Sequence, residues 1–274
     1  MPTHANPSFL EVPCRSEKPR KEGITHVLDK GLTLAATHEL LCGAGRWIDI
    51  WKFGWGVAYI DPWVKEKVQA LTAAGVHSCT GGTLLEIAWR RGAVEAFFDY
   101  ASEVGFSCVE VSNGATSMPL PEKRNLIVQA CKRGFNVLAE VGSKDPAKQV
   151  TADQWLDEMS GDLRAGATWL VAEGRESGTV GLYQDTGHVR EALLLALAGS
   201  PFANRILYEA PQRAQQAMLL RLLGPEVNLG NIPLDEVVTL ETLRLGLRAD
   251  TLDAFDTWKA VNKSLDGQNQ HVLV

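Results

Sequence analysis

The chain has 274 residues, of which 45% are hydrophobic and 22% charged, and a formal net charge of −6. A disordered chain would be poorer in large apolar residues, and no apolar run of about 18 residues is present to cross a bilayer as a helix. The acidic balance argues against a nucleic-acid partner but leaves room for a local basic pocket.

Residues 1–22 read as an N-terminal arm: Arg15 to Gly23 is charged, carries Pro19, and is expected to order only where it docks. From residue 23 to 260, short runs rich in β-formers alternate with segments of helical period. The first runs are Thr25–Asp29, Ile48–Phe53, His77–Thr80 and Cys108–Ser112. Asn136–Val141, Thr168–Glu173, Arg205–Glu209 and Val227–Gly230 follow. Their starts lie about 22 to 37 residues apart, the span of one strand, one helix and two loops. Between them, Val64, Val68 and Leu71 recur at i, i+4 and i+7 within Trp63–Ala74. Leu84–Tyr100, Glu122–Arg133, Ala152–Ala165, Val189–Ala198, Arg213–Leu223 and Leu234–Leu247 read the same way. Gly75, Gly105, Gly134 and Gly224 stand where helices stop. Eight strand–helix units in one unbroken block predict an α/β fold, a single (β/α)8 TIM-type barrel. The rival, a doubly wound open sheet, would want a GxGxxG loop after its first strand, and none is present. Residues 261–274 read as a loosely tied C-terminal tail. The five cysteines are scattered without a CxxC pair, and residues 1–25 hold no apolar signal core, so a reduced, cytoplasmic setting is expected.

In such barrels function gathers at the C-terminal ends of the strands. Those ends carry Lys30, Lys52, Glu110, Glu140, Lys144, Glu173, Arg175, Glu209, Asn228 and Asn231. Glutamates at strand ends oppose β-propensity and repel one another unless cations intervene. Oxygen donors without a His or Cys cluster point to Mg2+ rather than Zn2+, with Glu110, Glu173 and Glu209 as the expected ligands. A structural network of ion pairs is the competing reading. The Gly/Ser loop Glu173-Gly-Arg-Glu-Ser-Gly178 can offer N–H groups and a guanidinium to an anion, which makes Arg175, Ser177 and Gly178 substrate-binding candidates beside Lys30, Asn228 and Asn231. Lys144 reads either as a general acid or as a solvated loop lysine. His26 reads as a barrel histidine with a structural role, and Trp55 as a residue able to wall the pocket.

Several motifs run in order over about residues 24–251: Val27-Leu-Asp-Lys-Gly-Leu32, Lys52-Phe-Gly-Trp-Gly56, Gly81-Gly-Thr-Leu-Leu-Glu86 and Val109-Glu-Val-Ser-Asn-Gly114. Glu140-Val-Gly-Ser-Lys144, Glu173-Gly-Arg-Glu-Ser-Gly178, Val227-Asn-Leu-Gly-Asn-Ile232 and the stretch from Leu240 to Thr251 continue them. With these the chain resembles the phosphosulfolactate synthase family, (β/α)8 barrel lyases that add sulfite to phosphoenolpyruvate with Mg2+ to give (2R)-phospho-3-sulfolactate, towards coenzyme M in methane-forming archaea. The resemblance places a general acid at Lys144; Lys52 and Glu140 complete the expected catalytic set. It also implies a homo-oligomer, with a compact trimer in view. Asn113, Val57, Ala249 and Arg213 depart from residues common in the family. The arm ending in Lys18-Pro-Arg resembles bacterial members and related plant heat-stress-associated proteins. Two alternatives therefore stand beside the lyase: a barrel enzyme adding another nucleophile to phosphoenolpyruvate, and a non-catalytic relative. Retained Lys30, Lys52, Lys144 and Arg175 favour an enzyme.

Overall fold

In the computed structural model, which describes residues 7, 9–142 and 150–255, the eight β-rich runs pair in parallel, each with the next. The strands are β1 (Thr25–Asp29), β2 (Ile50–Phe53), β3 (His77–Thr80) and β4 (Cys108–Val111). They continue with β5 (Asn136–Val141), β6 (Trp169–Ala172), β7 (Ile206–Glu209) and β8 (Leu229–Pro233). β8 pairs back onto β1, closing the barrel in sequence order. The predicted (β/α)8 barrel is thus the observed fold. Among the described residues no helix is long and apolar enough to cross a membrane.

The helices are α1 (Leu34–Ala44), α2 (Val57–Ile60), α3 (Val64–Ala73), α4 (Gly82–Arg90) and α5 (Val94–Val104). The second half adds α6 (Leu120–Lys132), α7 (Ala152–Ala165), α8 (Glu191–Ala198), α9 (Arg213–Leu223) and α10 (Val237–Arg244). Two of them, α7 and α9, have the bounds read from periodicity. The expected helix over 84–100 is instead two, because Gly92 adopts a left-handed φ of 68° and turns the chain between α4 and α5. Sequence periodicity passed over α1. Its apolar residues surround the axis, so no amphipathic stripe marks it, although Thr33 caps it by accepting from the Ala36 N–H. β8 begins two residues later than expected, a shift that decides the fate of two asparagines.

Side chains alternate across each strand. Val27, Trp51, Phe53, Val109, Val137 and Leu170 face the helices and join the main core. Ile50, Cys79, Cys108, Leu138, Val171 and Leu207 form a second cluster inside the barrel. Two residues further along, the same inward register carries Lys52, Glu110, Glu140, Glu173 and Glu209. A period of two therefore stacks a charged layer on an apolar one, at the C-terminal mouth.

The arm docks on the opposite mouth of its own barrel. Arg15 pairs with Glu226 and, at 3.0 Å, with Glu241; Arg20 meets Asp49 at 3.0 Å; Lys18 Nζ donates to the Gly45 carbonyl at 2.9 Å. The tail at 261–274 lies outside the described residues.

Candidate active site

The charged layer is organised around one ammonium. Lys52 Nζ donates to Glu110 Oε2 at 2.9 Å and to Glu209 Oε1 at 3.1 Å, and all three side chains are buried. The other Glu110 oxygen accepts the Gly82 N–H at 2.8 Å. The other Glu209 oxygen accepts the N–H groups of Gly174 (2.9 Å) and Arg175 (3.0 Å). Arg175 N–H also reaches Glu173 Oε1 at 2.7 Å. Its φ of 57° is left-handed, a strained choice for a non-glycine residue that aims one N–H at two carboxylates. Gly142 is required beside them: at its φ of 135°, a Cβ would sit 2.6 Å from the Glu173 Cβ.

Carboxylate oxygens of Glu140, Glu173 and Glu209 lie within 4.8 Å of one another. These residues, Lys52 and Arg175 line a pocket of about 190 Å3 at the barrel mouth. Four buried glutamates thus face one ammonium among the described residues, so the pocket is acidic. Burial works against the Lys52 charge, but Glu110, Glu209 and Glu140 outweigh it and hold the ammonium's pKa well above the usual lysine value. Burial pushes Glu110 up to about 7, with Glu140 and Glu209 acting the same way and Lys52 opposing them. His26 is held neutral by burial and by the Lys52 charge. Its Nδ1 accepts the Asn231 N–H at 3.3 Å, so the imidazole supports a pocket residue from within the barrel.

Of the residues expected from sequence, the fold brings together Lys52, Glu110, Glu140, Glu173, Arg175, Glu209 and Asn231. Glu110, expected as a metal ligand, has its two oxygens engaged by Lys52 and Gly82, while Glu140 joins Glu173 and Glu209 in the grouped set. Asn228 is a correction. It precedes β8 and sits at the opposite mouth, accepting from the Ile24 N–H and donating to the Asn204 and Ile206 carbonyls. The late start of β8 puts Asn231, not Asn228, at the pocket.

Three further expected binders stand outside the pocket lining. Lys30 is exposed after β1. Ser177 is exposed, with its hydroxyl on Thr179, and the Gly178 carbonyl accepts from Gln215. Lys144 lies outside the described residues. Asn113 donates to the Met118 carbonyl at 3.2 Å, a loop contact that an aspartate could not make. Val57 is buried in α2 and Ala249 is exposed, neither on the pocket. Trp55 walls the pocket as the sequence allowed. Glu86 was missed: it is a fully buried acid on α4, and the available signal was an acid closing the Gly81–Glu86 motif.

The family described as (2R)-phospho-3-sulfolactate synthase (ComA) matches residues 13–250 of this sequence. The phosphosulfolactate synthase of Methanothermobacter thermautotrophicus is 44% identical over 249 residues, 89% of this chain and 96% of that one. The phosphosulfolactate synthase of Bacillus subtilis is 37% identical over 249 residues, 90% of this chain and 98% of that one. Among solved structures, 3-hexulose-6-phosphate synthase from Salmonella typhimurium superposes with a TM-score of 0.52 at 15% identity, covering 80% of this chain and 97% of its own, a likeness of fold alone.

Proposed function

Since the chain belongs to the (2R)-phospho-3-sulfolactate synthase family, we propose that it adds sulfite to phosphoenolpyruvate in a Mg2+-dependent carbon–sulfur lyase reaction. The observation that carries this reading is the buried layer at the barrel mouth: an ammonium locked between Glu110 and Glu209, beside the grouped carboxylates of Glu140, Glu173 and Glu209.

Phosphoenolpyruvate carries a carboxylate and a phosphate, and sulfite is a second anion. A wall of buried carboxylates repels both unless a cation stands between them. The grouped donors are all oxygens, the set a hard divalent cation takes, so the residues fit Mg2+. When bound by Glu140, Glu173 and Glu209, Mg2+ supplies a Lewis acid for the negative charge that develops on the substrate carboxylate.

The chemistry needs one bond and one proton. The sulfite sulfur lone pair attacks the methylene carbon, forming the C–S bond. The double-bond electrons move towards the carboxylate, and C2 then takes a proton. Lys52 supplies a fixed positive charge that orients the anionic substrate and steadies the developing charge. It is a poor source of the proton, because Glu110 and Glu209 hold that proton on it. The donor in this reading is Lys144, by family resemblance. Arg175 brings a second cation to the pocket, where it offsets phosphate charge. Trp55 forms part of the pocket wall. The same reading sets the enzyme in the cytoplasm as a homo-oligomer, with a trimer as the form that sizing would reveal.

Incubation with phosphoenolpyruvate, sulfite and Mg2+ should consume the enol absorbance and yield an adduct of the summed mass. A chelator and Lys144→Ala should each abolish it. No adduct from a folded protein would overturn this reading and favour another nucleophile or a non-catalytic role.

A further inference from the structure

The fully buried carboxylate of Glu86 is absent from the pocket lining, yet one of its partners, Ala115, lines the pocket. It projects from α4. Its Oε1 accepts the Ser112 hydroxyl, and its Oε2 accepts the Ala115 N–H at 3.0 Å and the Thr116 hydroxyl at 2.8 Å. One side chain thus holds three groups of the loop that follows β4. Among the described residues no cation pairs with Glu86, so neutral donors alone offset its burial. Such a carboxylate is costly to keep in the interior unless those donors stay in place.

The loop is part of the site, because Ala115 lines the pocket. The hydroxyl of Ser112 extends the effect to the charged layer. It lies so close to the Gly82 backbone that a Cβ there would come within 2.4 Å of Ser112 Oγ. Gly82 in turn donates its N–H to Glu110, and Glu110 holds Lys52. A continuous path of hydrogen bonds and close packing therefore runs from Glu86 to the ammonium.

We propose that Glu86 is a positioning residue that fixes the loop at 112–116, and with it Ala115 of the pocket wall, and, through Ser112 and Gly82, the Glu110–Lys52 pair. Its effect on turnover rests on the sulfite-addition reading; its effect on the wall does not. Glu86→Ala removes the acceptor for all three donors. Glu86→Gln keeps one acceptor oxygen for Ala115 and Thr116, and its amide can donate to Ser112, whose hydroxyl accepts as readily as it donates.

The test pairs amide hydrogen exchange with kinetics on the full chain. In Glu86→Ala, the Ala115 and Gly82 amides should both exchange about tenfold faster or more. kcat/KM for phosphoenolpyruvate should fall about 10- to 100-fold, the scale of a small misplacement of reacting groups. Glu86→Gln should restore both. Leu194→Ala, a cavity in the core under α8, controls for lost stability and should leave both readouts near wild type. Three results would each overturn the proposal: unchanged exchange at Gly82 in Glu86→Ala, unchanged kcat/KM despite faster exchange, or an equal kinetic loss in Leu194→Ala. If the wild type itself makes no adduct, the functional reading fails, and the paired exchange of Ala115 and Gly82 decides the positioning role alone.

Discussion

Replacing Lys52 by methionine should expose how much of the charged layer depends on one ammonium. The Lys52 side chain is 5% exposed, and those of Glu110 and Glu209 are 3% and 1% exposed. Methionine fills most of the space but leaves both carboxylates without their cation. Breaking a buried pair from one side costs about 3–5 kcal/mol. At roughly 2–4 °C per kcal/mol for a domain of this size, Tm should fall by about 10 °C near pH 8. The deficit should depend on pH with a definite sign. Burial already raises the Glu110 pKa to about 7, and loss of Lys52 removes the charge that opposes this. A carboxylate whose folded pKa is raised stabilises the fold below its unfolded value of about 4.5 and loses that contribution as pH climbs through the folded value. The gap between variant and wild type should therefore be widest above pH 8 and narrow towards pH 5. Thermal and urea unfolding from pH 5 to 8.5, with a chelator present, measures it. Adding Glu110→Gln to Lys52→Met should recover part of the loss at high pH. A gap that stays constant with pH, or a Tm within 2 °C of wild type at pH 8 (about 1 kcal/mol or less), would refute the coupling derived from the geometry.

The two asparagines of β8 and its approach should separate stability from activity. Asn228→Ala should cost about 2 kcal/mol in urea unfolding, since it strands the buried Ile24 N–H, and leave adduct formation near wild type. Asn231→Gly tolerates the left-handed φ of 53° and removes only the amide. Its stability should stay within about 1 kcal/mol of wild type, while kcat/KM drops about tenfold. Glu226 is held below the usual carboxylate range by Ser16 and Arg15, against burial, which acts the other way. Its stabilising contribution is present above its unfolded value and disappears as pH falls through the folded one. Glu226→Gln should therefore lose about 1 kcal/mol at pH 7 in urea titrations, and the difference should shrink as the solution is made more acidic. Gly142→Ala would place a methyl 2.6 Å from the Glu173 Cβ in a left-handed backbone. It should destabilise by about 2 kcal/mol and weaken Mg2+ binding in calorimetry; unchanged Mg2+ affinity would separate Glu173 from the cation.

Much of this site was legible because a strand has a period of two. Once eight strands were read, Glu110, Glu140, Glu173 and Glu209 fell at their ends. The same period that buries Leu138 and Val171 inside the barrel aims Glu140 and Glu173 at the mouth. The reading failed where a boundary slipped. Asn228 and Asn231 flank the start of β8, and a two-residue shift in that start sent one to each mouth. It failed again where a residue acts through tertiary contact. Nothing local marks Glu86 as the anchor of a loop some 30 residues away in the chain, or Arg15 as the partner of Glu226 and Glu241.

The order of strands and helices and the acidic character of the strand ends were set by local pattern. Hydrophobic period and turn residues act over a few positions, so they can be read from a linear string. Which carboxylate meets Lys52, which three group together, and which mouth the arm seals were decided only when the barrel closed. Those outcomes depend on neighbouring strands in register. Lys52 and Glu209 lie 157 positions apart in the chain, and only closure of the barrel brings them to 3.1 Å.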